Sequence, residues 1–317
     1  MKYTKESLKI VFFGTPDFAV ESLDRLVKGG YNIVGVVTMP DKAAGRGHKM
    51  FQSPVKEYAL EHGLTLMQPV NLKNPEFVDQ LRSLNADLQI VIAFRMMPEI
   101  VWNMPPLGTF NLHASLLPKY RGAAPINWAV MNGDKETGVT TFFLKHEIDT
   151  GDIIQQEKIE IAETDNVGII HDRLMTLGAG MVVETVDAII DGTVKPIPQD
   201  QLINQDEEPT PAPKIFKETC EINFNRTATE VYNHIRGLSP YPAAWTNIKD
   251  ANGVEYSLKI YETELPSDKQ IGNPGEVVAT KDTLTFACAQ GSISIKSLQL
   301  AGKKRMTTAE FLRGFKL

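Results

Sequence analysis

Leu8-Lys9-Ile10-Val11-Phe12-Phe13-Gly14-Thr15-Pro16-Asp17 opens a pattern that continues to Val37 and sets the architecture of the chain. Residues 8–13 form a short apolar run stopped by Gly14, the signature of a buried strand. From Asp17 to Val27 the apolar positions recur with helical spacing, and Gly29-Gly30 ends the pattern. A second apolar run, 33–37, comes at once. Strand, helix and strand in this order make a βαβ unit, which implies a parallel sheet. Beyond this unit, further strands are expected at 64–67, 88–93, 109–112 and 139–144. Helices are expected near 54–62, 75–84 and 124–132, and a long one over Val167–Asp191, stopped by Gly192. The first turn reads Gly14-Thr15-Pro16-Asp17 rather than G-x-G-x-x-G. A nicotinamide dinucleotide is therefore not expected, despite the Rossmann-like start.

Residues 193–214 are rich in Pro, Asp, Glu and Gln and read as a linker. Beyond it come a helix near 227–237 and short strand-like runs near 243–249, 254–263, 275–280, 283–288 and 292–300. Short strands punctuated by Gly and Pro suggest a small barrel. The expected organisation is a catalytic domain over 1–192, a linker over 193–214 and a small second domain over 215–317.

Composition narrows the class. The chain has 317 residues with 42% apolar content, enough for two domains with ordinary cores. Two cysteines, Cys220 and Cys288, make neither a metal-ligand spacing nor a disulfide framework, so no metal is expected. The polar start, Met1 to Glu6, has no signal-peptide h-region, and no apolar run is long enough to span a bilayer. A soluble, cytoplasmic, monomeric protein without membrane contact is the simplest expectation. Net charge is −6 but uneven: residues 209–317 carry +3 and the remainder −9. A basic small domain with an acidic large one suits chemistry in one and an anionic partner held by the other.

The chemistry is concentrated in Asn111-Leu112-His113-Ala114-Ser115-Leu116-Leu117-Pro118 and the later Arg121-Gly122-Ala123-Ala124-Pro125. Asn111 and His113 are two apart at the end of a strand, so on extended backbone they point to one side. The amide can donate to a developing oxyanion, and the imidazole can move a proton. An Asn-x-His pair at a strand end is also commonly just a satisfied polar pair. A third group weighs against that reading. Asp149, in His146-Glu147-Ile148-Asp149-Thr150-Gly151-Asp152, sits in the loop past another expected strand. Acid, imidazole and amide together are a proton-transfer set.

These motifs resemble the formyltransferases that use 10-formyltetrahydrofolate. So do Phe13-Gly14-Thr15-Pro16-Asp17-Phe18, Pro40-Asp41, Gly45-Arg46-Gly47, Ser53-Pro54-Val55-Lys56 and Ala301-Gly302-Lys303-Lys304-Arg305-Met306. The resemblance runs over residues 8–317. It implies a Rossmann-like, mostly parallel α/β domain followed by a small OB-like β-barrel domain. It also implies 10-formyltetrahydrofolate as formyl donor, with no metal. The N-terminal loop and the C-terminal Ala-Gly-Lys-Lys run point, within the family, to members whose partner is methionyl initiator tRNA. An enzyme acting on a nucleotide-sugar or other small amine is the alternative.

By the same resemblance, Asn111 donates to the oxyanion, His113 stabilises it and assists the leaving nitrogen, and Asp149 orients His113 and accepts the amine proton. Ser115, Leu116, Leu117 and Pro118, with Ala93 and Phe94, are expected against the folate. In Ala93-Phe94-Arg95-Met96-Met97-Pro98, Arg95 stands where relatives commonly have Gly, with one residue fewer. For tRNA, a basic clamp with Lys42, Arg46 and Lys49 is expected, together with Lys214, Lys303, Lys304 and Arg305. Lys42 replaces an Arg common in relatives, keeping the charge but losing the planar fork.

Overall fold

The computed structural model describes residues 2–44, 49–203 and 209–317. Two compact units emerge. The first comprises Met1–Arg121, Gly138–Ile159 and Asp172–Pro211; the second comprises Gly122–Thr137, Glu160–His171 and Ala212–Leu317.

In chain order the first part of the molecule holds β1 (Ile10–Gly14), α1 (Asp17–Lys28), β2 (Ile33–Val37), β3 (Lys42–Ala44), β4 (Lys49–Phe51), α2 (Pro54–Glu61), β5 (Leu66–Met67), α3 (Pro75–Ser83), β6 (Leu88–Ile92), α4 (Glu99–Trp102) and β7 (Thr109–His113). Then come β8 (Arg121–Gly122), α5 (Pro125–Met131), β9 (Glu136–Phe143), β10 (Ile153–Glu160), α6 (Val167–Asp191) and β11 (Pro211–Ala212). Seven strands form one sheet in the order β10-β9-β7-β6-β1-β2-β5. The five from β5 to β7 pair in parallel, and β9 adds to β7 antiparallel. The expected mostly parallel sheet is therefore found.

Every residue of β1 and β6 is buried, as strands covered on both faces must be. Alternation sorts their side chains: Val11, Phe13 and Val91 join Phe77, Val78 and Leu81 of α3 in one cluster. Gly14 lets α1 approach β1, because a Cβ there would meet that of Ala19 at 2.7 Å. The caps agree with the sequence, with Ser53 and Asn74 side chains accepting the Lys56 and Glu76 backbone N–H groups at α2 and α3. The sequence gives no sign of β10; its Gln155-Gln156-Glu157-Lys158 centre has the polarity of an edge strand.

The second unit is built on α7 (Ala228–Leu238) and on β12 (Ala244–Lys249), β13 (Glu255–Thr263), β14 (Val277–Ala279), β15 (Leu284–Ala287), β16 (Ser292–Leu300) and β17 (Met306–Thr307), with α8 (Thr308–Gly314) last. The sheet order is β12-β13-β16-β15-β14, with β17 on β16, and each pairing is antiparallel. Register shifts within β13, near Ile260 and Glu262, bend the sheet into a curled half-barrel. The OB-like expectation holds. Ile235 and Leu238 of α7 pack onto Leu258, Ile260, Phe286 and Leu298. Capping boxes at Thr227/Glu230 and Thr307/Glu310 start the two helices. Among the described residues no helix is long and apolar enough to cross a membrane.

Candidate active site

In a parallel sheet, ligands gather at the carboxyl ends of the strands. In the first unit these ends are Gly14, Ile92-Ala93 and His113-Ala114. Asn111 is half-buried in β7, and its side-chain amide has no hydrogen-bond partner among the described residues. His113 is 7% exposed. Its Nε2 lies 2.8 Å from the carbonyl oxygen of Tyr120. A carbonyl only accepts, so Nε2 carries the hydrogen, and Nδ1 is the acceptor of the neutral ring. Nδ1 faces Asp149 Oδ2 at 3.9 Å, beyond a direct hydrogen bond. The Tyr120 carbonyl therefore fixes the tautomer of the imidazole, and Asp149 stands at ion-pair distance from its other nitrogen. Tyr120 makes this possible by adopting φ +62° while its own N–H donates to Thr210 O at 2.6 Å.

Asp149 reaches His113 by an indirect route. β9 is antiparallel to β7, with Phe143 opposite Phe110 and Thr140 opposite His113. The chain leaves β9 at the wrong end of β7 for Asp149 to meet His113 directly, so the loop doubles back. Three features hold it. Asp149 itself takes φ +56°. Gly151 presses on the β9 backbone, where a Cβ would sit 1.5 Å from Phe143 O. The third is Gln199, only 3% exposed. Its Nε2 donates to the carbonyls of Asp149 (2.9 Å) and Gly151 (2.8 Å), and its Oε1 accepts from Arg121 Nε (3.1 Å) and Nη2 (2.7 Å). Nothing in the sequence points to Gln199, because it lies among the Pro and Gln residues that read as linker.

The Ser115-to-Pro118 run is a braced loop. Ser115 Oγ donates to Lys119 O at 2.7 Å, while Thr140 Oγ1 donates to Ser115 O at 2.6 Å and accepts from Leu117 N–H at 3.2 Å. Gln156 Nε2 donates to Leu117 O at 2.6 Å. Ser115 is fully buried, and Leu117 packs with Phe142 and Ile153. Leu116 and Pro118, both half-buried, keep accessible surface. At the neighbouring strand end, Ala93 is exposed with φ +47°, and the Phe94 ring meets Phe13 edge-on at 5.6 Å.

Arg95 has a definite role. Its Nη1 donates to Val70 O at 2.7 Å and its Nη2 to Pro69 O, and the guanidinium lies 5.7 Å from the Phe94 ring centre. Burial pulls its pKa down, and its Nε is buried without a partner. The segment after β6 is thus clamped to the segment after β5. Met97 is core, whereas Met96 is 72% exposed.

The basic residues divide between the units. In the first, Lys42 is exposed at the start of β3. The base of its hairpin is tied by Lys56 Nζ to Asp41 Oδ2 at 2.5 Å and by Gln68 Nε2 to Asp41 Oδ1 at 2.9 Å. The Lys56 ammonium holds the Asp41 carboxyl below its usual range. Arg46 lies outside the described residues; Lys49 belongs to β4, and its side chain lies outside them too. In the second unit Lys214, Lys303 and Lys304 are exposed. Arg305 is braced by Ser297 Oγ at 2.7 Å and Glu262 Oε1 at 2.6 Å.

Comparison with known proteins gives this constellation a context. A family model described as formyl transferase matches residues 8–186, and one described as formyl transferase, C-terminal domain, matches residues 214–316. The chain is 62% identical over 315 residues to the methionyl-tRNA formyltransferase of Bacteroides fragilis, covering 99% of this chain and 97% of that one. To the enzyme of that name from Flavobacterium johnsoniae it is 52% identical over 309 residues, covering 98% and 96%. Among solved structures, an N-formyltransferase from Helicobacter canadensis in complex with folinic acid and dTDP-3-aminofucose shares the fold. The TM-score is 0.66 at 19% identity, covering 94% of this chain and 100% of that one.

Proposed function

Because this chain belongs to the formyl transferase family, we infer that it transfers a formyl group from 10-formyltetrahydrofolate to the α-amino group of methionyl initiator tRNA. The relatives that match it end to end are named methionyl-tRNA formyltransferase. The reading is carried locally by the Asn111, His113 and Asp149 set, with an unpartnered amide beside an imidazole of fixed tautomer and an acid held 3.9 Å away.

The folate supplies the formyl carbon and a nitrogen leaving group. The site fits such a donor: the exposed backbone at Ala93, the accessible Leu116 and Pro118, and the free Asn111 amide surround the β6 and β7 ends. Asn111 Nδ2 donates to the oxygen that gains charge when the amine attacks. Such a donor is worth about 2.7–4 kcal/mol of barrier. Asp149 accepts the proton lost by the amine, through one water across the gap to Nδ1. His113, held at Nε2 by Tyr120, takes up at Nδ1 the proton relayed from the amine by way of Asp149 and passes it to the departing nitrogen, a step worth roughly 10²–10⁴-fold in rate. We assign the chemistry to residues 1–192 and tRNA holding to residues 215–317, with Lys42, Arg46, Lys49, Lys214, Lys303 and Lys304 on the RNA side. The cytoplasm is the compartment where such a substrate is met.

Formyl transfer to methionyl initiator tRNA, beside methionyl elongator tRNA and free methionine, tests the reading. Product with the initiator alone is expected; no product with any acceptor would refute it. In the same assay Asp149→Asn abolishes transfer and leaves folate binding intact. Near-normal turnover in that variant would remove Asp149 from the mechanism.

A further inference from the structure

The end of the stretch that reads as linker is strapped to the segment that holds the candidate catalytic groups. β8 pairs with β11 as a separate two-stranded ladder. Beside it Tyr120 N–H donates to Thr210 O at 2.6 Å, and Ala124 N–H donates to Ala212 O at 3.2 Å. At Gly122 the two backbones approach more closely than a side chain permits. Its φ is +126°, and a Cβ there would meet Ala212 O at 2.5 Å. Ala212 is fully buried and Tyr120 is 5% exposed, so the strap is an interior contact.

Two sets of bonds leave the strapped segment for the two proton-handling groups. The Tyr120 carbonyl accepts from His113 Nε2. Arg121 donates twice to Gln199 Oε1, and Gln199 Nε2 donates to the carbonyls of Asp149 and Gly151. Tyr120 and Arg121 are consecutive, so one short piece of backbone sets the imidazole and, through Gln199, the Asp149 loop. Its shape is not one that local propensity favours: Tyr120 is a bulky residue at φ +62°. The hydrogen bonds to Thr210 and Ala212 offset that cost.

We propose that residues 210–212 are a positioning element of the active site and that Gly122 is the residue that admits them. With this strand seated, Tyr120 holds His113 in its Nε2-protonated form and Arg121 holds Gln199 on the Asp149 loop. The roles of His113 and Asp149 rest on the functional reading above; the strap itself is tested without it. The variant is Gly122→Ala in the full chain. Its control is Gly253→Ala, in the turn between β12 and β13, where a Cβ at φ +80° meets nothing within 4 Å. Formyl transfer to methionyl initiator tRNA gives kcat and KM. Nitrogen-15 NMR of histidine-labelled protein, with His113 assigned through His113→Gln, gives its tautomer. Gly122→Ala should lose about 100-fold in kcat, the cost of displacing reacting groups by about 1 Å, with both KM values near the parent's. Its His113 should show an Nδ1-protonated population that the parent lacks, while Gly253→Ala keeps the parental kcat and tautomer. Where Gly122→Ala does not fold, Tyr120→Asn and Tyr120→Val decide. Both remove the ring, but Asn tolerates the left-handed region and Val does not, so Tyr120→Val should lose about tenfold more in kcat. A folded Gly122→Ala with parental kcat and tautomer, or Tyr120 variants of equal kcat, overturns the proposal. A parent inactive with every acceptor overturns the functional reading instead, and the tautomer comparison still decides the strap.

Discussion

Gln199 gives the sharpest test of how the site is assembled. Its amide makes two donations into the Asp149–Gly151 loop and receives two from Arg121. Neutral bonds of this kind are worth about 1 kcal/mol each, and the pair to a guanidinium about 2 kcal/mol. Gln199→Met removes all four and should cost about 2–4 kcal/mol of stability, the upper end applying if nothing relaxes. Gln199→Glu separates stability from placement. Its carboxylate keeps Arg121 and adds a charge pair, but it cannot donate to the two carbonyls and repels them instead. The loop that doubles back from β9 then loses both ties at the carbonyls of Asp149 and Gly151. A displacement of about 1 Å of a reacting group costs on the order of 10² in rate. Measured as kcat at saturating donor and tRNA beside thermal unfolding, Gln199→Glu should fall about 100-fold while its Tm stays near the parent. A Gln199→Glu enzyme with parental kcat would show that Asp149 is placed without these bonds.

Three other perturbations have defined outcomes. Arg95→Gly cuts the clamp on Pro69 and Val70; the folate KM should rise several-fold with a small change in kcat, and an unchanged KM would detach Arg95 from the donor pocket. Thr227→Ala removes the cap of α7 and should cost about 1 kcal/mol of stability, read by denaturant unfolding, with turnover unaffected. Asp41 has a lowered pKa through Lys56, so the stability it adds is present above its unfolded pKa and lost as pH falls through the lower folded value. The Tm gap between the parent and Lys56→Met should therefore shrink between about pH 7 and about pH 3; a constant gap would deny the pairing.

Much of the fold is legible because it is written in local chemistry. The run 8–14 shows both the buried strand and its glycine stop, and α1, α2, α3, α6 and α7 all lie where apolar spacing and caps put them. The barrel strands β12 to β16 match their expected runs closely, since each is a short strand-forming run set off by Gly, Pro or polar turn residues. β10 and the pairing of β3 with β4 are not legible: an edge strand of glutamine and charge carries no apolar signal, and two three-residue strands are too short to show a period.

The candidate site divides in the same way. Asn111 and His113 are neighbours by strand periodicity alone, so their spacing in the chain already pairs them. Asp149 is different: the antiparallel turn of β9 carries it away from His113, and its return depends on Gln199, 50 residues on, and on a glycine pressed against Phe143 O. The tautomer of His113 is fixed by a backbone carbonyl seven residues away, which has no residue type to recognise. Likewise Trp245, Lys259 and Gln299 are far apart in the chain, and cross-strand register brings them into one row. The elements, the residue types of the chemistry and the apolar faces that must meet depend on short-range spacing, and so they can be read along the chain. Which groups touch depends on strand direction, register and backbone hydrogen bonds between partners far apart in the chain, and so it is fixed only when the chain is folded.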